Sequence, residues 1–179
     1  MISPDLKQIL DKAPYRKRVE IGPLPGAGEM KICAGQLIEV LGEHYQGWLI
    51  RLFKEIPNAR VGWICKDGLD LCPIAMAQEK IPLSRFLFLD QVESKDGLAK
   101  VMTFIKSGLF QLLVFEQSFF KIKTDVNLRK LQLLAEEYGT ALIMRSLKPT
   151  GSFSVQIQVE TANTQSGTYI KLKGGNHGR

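Results

Sequence analysis

The sequence predicts a single α/β domain: a mostly parallel sheet with helices on its faces and antiparallel strands at the C-terminal edge. Three observations predict it. Compact apolar runs alternate with helix-period stretches through the middle of the chain, as they do where parallel strands are joined by helical crossovers. The end of the chain turns to strand-like segments alone, around 154–160 and 168–172. The size also fits, since 179 residues with 45% apolar and 23% charged content suit one domain with a buried core.

The elements follow in order. Ser3-Pro4 reads as an N-cap with proline at the first helical position, and Leu6, Ile9 and Leu10 form a stripe, so a short helix is expected before Pro14. Gly22 to Gly28 is a loop by composition. Residues 1–34 form an N-terminal segment and 35–179 the α/β domain. Gln36 to Leu41 is a buried strand. Trp48, Leu49, Leu52, Phe53 and Ile56 share a helical face over 47–56, stopped by Pro57-Asn58. Strands are expected at Arg60–Cys65 and Phe86–Leu89, with a short helix over 72–79 between them. Leu98, Val101, Met102 and Ile105 mark an amphipathic helix closed by Gly108. A strand follows at Gln111–Phe115. Thr124 or Asp125 caps a helix carrying Leu128, Leu131, Ala135 and Tyr138 up to Gly139, and Thr140–Met144 is the next strand. Val155, Ile157 and Val159 alternate, as in a strand with one covered face, and 168–172 pairs with it.

Composition narrows the class. No run of about 18 or more apolar residues occurs, so no segment reads as a membrane-spanning helix. The first residues hold acids and no continuous apolar stretch, unlike a secretory signal. Cys33, Cys65 and Cys72 are an odd, sparse set, expected as reduced thiols in a cytoplasmic protein. Cys65 and Cys72 lack a partnering histidine, which argues against zinc. Lys and Arg exceed Asp and Glu by 24 to 18, a formal charge of +6. That balance suits nucleic acid and a solvated surface about equally.

The most informative motif follows the first buried strand: Gly42-Glu43-His44-Tyr45-Gln46-Gly47-Trp48-Leu49. A phosphate-binding P-loop reads G-x-x-x-x-G-K-[ST] between strand and helix. Both glycines and the context are present. Trp48 stands where the phosphate-pairing lysine belongs, and Leu49 where the magnesium-holding hydroxyl belongs. Two glycines at this spacing carry little alone, so the weight falls on what lies downstream.

The segment Gly35-Gln36-Leu37-Ile38-Glu39-Val40-Leu41-Gly42 resembles the strand leading into the P-loop of RecA-like recombinases. Trp63-Ile64-Cys65-Lys66-Asp67 is similar to the strand bearing the general base of that family, with Asp67 in its place and Cys65 where an acid is common. Asp96–Gly108 and Leu109–Glu116 look like the helix and strand that end in the Walker B acid, here Glu116. Leu128-Arg129-Lys130-Leu131 and Thr140–Met144 resemble the next helix and strand, ending in Arg145-Ser146 without the glutamine of an ATP-sensing strand. The resemblance covers residues 35–160. It implies a RecA-like fold with a degenerate ATP site. With lysine and magnesium ligand both missing, the β- and γ-phosphates lose their positive partners, so no hydrolysis, no cofactor and no bound metal are expected. Asp67 and Glu116 then read as relics rather than a working pair.

Two bacterial groups keep a RecA-like core without nucleotide chemistry: ImuA-type mutasome accessory proteins and SulA-type division inhibitors. The chain is similar to both. Its extensive RecA-like segment and basic charge favour the first, which implies a non-catalytic role in the DNA damage response. The implied partner is a Y-family-like polymerase subunit or a RecA-like filament, with DNA as a further partner and oligomers allowed. A divergent ATP-dependent recombinase-like ATPase borrowing cations such as Lys66 or Lys148 is the alternative, and a SulA-like inhibitor the third reading. Arg145, Lys148, Lys171 and Lys173 are the candidate DNA contacts, with Lys121 and Lys123 beside them; phosphate contacts of this kind give salt-sensitive, sequence-independent affinity. Solvated lysines are the equal competitor. His44 sits in the loop without a second histidine or a nucleophile near it, and His177 lies in the tail. Trp48 is expected in the core, with a partner-facing anchor as the other reading.

Overall fold

A computed structural model describes residues 19–66, 73–120, 124–164 and 167–174. The strands are β1 (Glu20–Pro23), β2 (Lys31–Cys33), β3 (Leu37–Leu41), β4 (Val61–Ile64), β5 (Phe86–Leu89), β6 (Leu112–Glu116), β7 (Ala141–Ser146), β8 (Ile157–Thr164) and β9 (Gly167–Gly174). The helices are α1 (Tyr45–Glu55), α2 (Pro73–Gln78), α3 (Ser94–Lys106) and α4 (Thr124–Tyr138). Seven strands form one sheet in the order β5-β4-β6-β7-β3-β8-β9. The first six run parallel, and β9 pairs antiparallel with β8. The expected α/β architecture is therefore present. Its antiparallel edge is the single strand β9, since β8 lies parallel against β3.

Both faces of this sheet are covered, which is why its central strands read as unbroken apolar runs. Side chains alternate across the pleat. Ala141 and Ile143 enter one core with Trp48, Leu52, Phe53 and Trp63, beneath α1 and α2. Leu142 and Met144 enter the other, with Val101, Ile105, Leu128 and Leu131 of α3 and α4.

The N-terminal loop expected over residues 22–28 is instead the end of β1 and a turn into β2. The two strands form a separate antiparallel hairpin. Leu24 and Ile32 of this hairpin are buried in the same core as Trp48. Glycine and proline in the turn mask the pairing in sequence, because both are depleted from strands in general.

Arg85 closes the far end of α1. Its guanidinium donates to the carbonyls of Phe53 at 3.0 Å, Ile56 at 2.8 Å and Ala59 at 2.9 Å. The last carbonyls of a helix have no partner within it, and one planar side chain reaches three carbonyls of α1 and the turn after it, of which Ile56 also accepts from the Ala59 amide. Arg85 thus ties the C-terminal end of α1 to the start of β5.

Candidate functional site

In open α/β sheets the ligand crevice lies beyond the carboxyl ends of the strands, where successive connections leave on opposite faces. One such point is between β3 and β7. Helix α1 leaves β3 over one core, while Val155 of the β7–β8 connection packs on the other. An open cleft of about 460 Å³ sits there, lined by Gly42, Glu43, Tyr45, Gln46, Arg145, Ser146 and Leu147. Residues 42–46 form one wall of it.

The loop is shorter than its motif suggests. Helix α1 starts at Tyr45, with His44 as N-cap, so only Gly42, Glu43 and His44 separate it from β3. The helix expected from Gly47 therefore begins two residues earlier, and Gly47 lies inside its first turn. The Gly47 amide already donates to the His44 carbonyl at 3.1 Å. A P-loop cradles phosphate with the amides between its two glycines; here the later ones have become helix. The His44 side chain makes no capping hydrogen bond and is exposed.

Trp48 and Leu49 are each 1% exposed and lie within the core beneath the hairpin. The indole Nε1 donates to the Pro25 carbonyl at 3.4 Å. Trp48 is thus a core residue, as expected, and it faces the hairpin rather than crowding a phosphate position. The positions where a P-loop presents lysine and hydroxyl are turned away from the cleft.

The cleft is partly filled from within. The Arg145 guanidinium lies 4.9 Å from the centre of the Tyr45 ring, and its Nη1 donates to the Tyr45 hydroxyl at 3.1 Å. Burial raises the pKa of that hydroxyl above the ordinary tyrosine value, so Tyr45 stays a neutral phenol. Arg145 is half-buried and occupied here, which removes it from an open basic face. Ser146 is buried, and its hydroxyl has no hydrogen-bond partner.

Along the same strand ends, Glu116 sits opposite Arg145 in the β6–β7 register. Its Oε1 accepts from the Lys66 amide at 3.0 Å and its Oε2 from the Ser118 hydroxyl at 3.1 Å. Oε1 thus joins the ends of β4 and β6, while Oε2 closes the turn directly after β6. Asp67, the expected general base, lies outside the described residues. Cys65 is buried with Sγ 3.4 Å from Asp90 Oδ1. Burial first, then the hydrogen bond and charge of Asp90, push its pKa up to about 12. A thiol held protonated in this way is no nucleophile at neutral pH. Among the described residues no three His, Cys, Asp or Glu side chains gather as a metal site would require, and no helix is long and apolar enough to cross a membrane.

The candidate DNA contacts are scattered. Lys148 is exposed on the β7–β8 loop. Lys171 and Lys173 stand in β9 opposite Glu160 and Gln158, three strands from β7, or roughly 14 Å at the usual strand spacing. Lys121, Lys123 and His177 lie outside the described residues, as do Cys72 and the expected N-terminal helix.

Sequence reasoning gave Glu39 no role of its own. This carboxylate is 1% exposed in the middle of β3. It accepts from the Thr150 amide at 2.9 Å and from Gln158 Nε2 at 2.9 Å. A buried carboxyl group needs such partners, and through them Glu39 ties both the β7–β8 loop and β8 to β3. The available signal was an acid inside an otherwise apolar strand.

No family model matches this chain, and no curated protein matches it in sequence.

Proposed function

We propose that this chain is a non-hydrolysing RecA-like module that acts in the cytoplasm by contact, as an ImuA-type accessory protein in the bacterial DNA damage response. The observation that carries the reading is the start of α1 at Tyr45 with Trp48 and Leu49 in the core. With that geometry the loop offers neither a lysine to the phosphates nor an oxygen to magnesium. The Arg145–Tyr45 pair occupies the mouth where a triphosphate would enter. The partner under this reading is a Y-family-like polymerase subunit or a RecA-like filament, with DNA as a further contact through Lys148.

The test is calorimetry of the full chain with ATP and magnesium, alongside turnover with and without single-stranded DNA. The expected result is no heat and no turnover. Micromolar binding with turnover that is lost on changing Glu116 would replace this reading with the divergent ATPase. The observation favouring that second reading is the cleft itself, with the Arg145 cation beside the N-terminus of α1, a position that suits an anion. Restoring lysine and threonine at 48 and 49 is a poor control, because both side chains would enter the core.

A further inference from the structure

The geometry points to a helix-docking groove along the outer face of α1, whose occupant is the N-terminal segment of this same chain, residues 1–18.

The groove has two parts that meet at Glu55. The first is an open cleft of about 420 Å³ lined by Gly47, Ile50, Arg51, Lys54, Glu55 and Glu79. Positions 47, 50, 51 and 54 stand at i, i+3, i+4 and i+7, so they share one face of the helix. Gly47 is exposed, and nothing lies within 4 Å of a Cβ built there; that end of the groove holds no side chain. Ile50 is half-buried and packs against the core beneath. Arg51 pairs with Glu55 at 3.0 Å and Lys54 with Glu79 at 2.6 Å. The rims are therefore charge-balanced, and what the groove offers is shape and an apolar floor. The second part is the cavity of about 320 Å³ at the C-terminal end of α1, where Val19 and Ile21 line the same space as Ile56, Pro57 and Glu55.

The path of the chain selects the occupant. The described residues begin at Val19, which is 58% exposed in this second cavity, so residues 1–18 enter the fold at the mouth of the groove. Ile2, Leu6, Ile9, Leu10 and Ala13 fall at i, i+4, i+7, i+8 and i+11, one stripe of a helix. Pro14 to Arg18 spans at most about 17 Å when extended, enough to bring Ala13 beside Glu55. A helix over residues 4–13 is about 15 Å long, close to the 16 Å or so of α1. Entering from the C-terminal end of α1, it runs parallel to α1 and brings Leu6 level with Gly47, where the open position suits the close axial approach of packed helices. A helix this short is marginal in water by itself, so its stripe needs a surface to cover. The short tether raises the effective concentration of the segment to the millimolar range, which favours it over a second copy or a free partner with a similar stripe.

Hydrogen–deuterium exchange of the full chain, read peptide by peptide, tests this beside two variants. Leu6→Asp puts a charge on the stripe. Gly47→Gln places a side chain in the groove where nothing within 4 Å opposes it. In the wild type, amides of residues 5–13 should exchange about tenfold slower or more than in a synthetic peptide of residues 1–18, at every protein concentration. Each variant should return those amides to the peptide rate while the amides of β3 and β7 keep theirs, which shows that the sheet is intact. Wild-type amides at the peptide rate overturn the inference. So does protection that survives both variants, because the segment then lies elsewhere. Protection that rises with protein concentration overturns it too, because a second copy then supplies the segment.

Discussion

Gly42 and Gly47 belong to one motif, yet opposite physics holds them. Gly42 has φ +97°, and a Cβ there would collide with the Thr161 carbonyl oxygen of β8. The Thr161 hydroxyl in turn donates to the Leu41 carbonyl at 2.8 Å. Close approach of a neighbouring strand therefore demands glycine at 42. Gly47 has nothing within 4 Å of a built Cβ and lies in the first turn of α1. Nothing around it demands glycine. Packing against β8 requires the first glycine, and the surroundings of the second would admit a side chain.

The comparison can be broken most forcefully at Trp48. Trp48→Lys removes a large core side chain, worth about 3–5 kcal/mol, and buries an amine in its place, so urea denaturation should find the variant largely unfolded. A folded Trp48→Lys protein of near wild-type stability would mean that this residue reaches the cleft. Gly42→Ala comes next. The strained φ and the backbone collision should cost about 3 kcal/mol or more, read as a lowered denaturation midpoint; a loss within about 0.5 kcal/mol would refute the close approach of β8. Tyr45→Phe removes the partly buried hydrogen bonding of the hydroxyl with Arg145 and Gln46 and leaves the ring under Arg145, so a loss of about 1 kcal/mol is expected. Gly47→Ala should have the opposite sign, gaining up to about 1 kcal/mol from helix propensity alone. Destabilisation there would show that Gly47 is still required for a loop conformation.

A last measurement sharpens the picture along the same strand ends. The Cys65 pKa is raised in the folded state to about 12, above the value of about 8.5 for a free thiol. The unfolded chain therefore releases its proton first. The contribution of this group to stability is intact below about pH 8.5 and declines as pH rises toward 12. Ellman's reagent at pH 8 should modify Cys33, which is partly exposed, and leave Cys65 unmodified until denaturant is added. Fast modification of Cys65 in the native protein would contradict its burial.

Much of the architecture was legible in the chain because periodicity is a local signal. The strand at 37–41, the helix stripe from Trp48 to Phe53 and the helix closed by Gly139 all lie where the apolar spacing places them. The hairpin was not legible, because its strands are short and flanked by Gly and Pro. In the site, the motif residues were found, while the direction of each side chain was not. Arg145 was read as a surface cation and is engaged with Tyr45, a hundred residues away in sequence. Glu39 was read as part of a strand pattern and anchors a loop 111 residues further on.

What the sequence determined by itself is the alternation of strands and helices, the burial of Trp48 and Leu49, and the absence of lysine and hydroxyl at positions 48 and 49. Each follows from residue identity and spacing over a few turns. Only the tertiary structure decided the order of the strands, the early start of α1 and the reason for Gly42. It also decided the pairing of Arg145 with Tyr45. These rest on which distant segments meet, and contacts across a hundred residues are set by how two cores pack on one sheet, which no local pattern encodes.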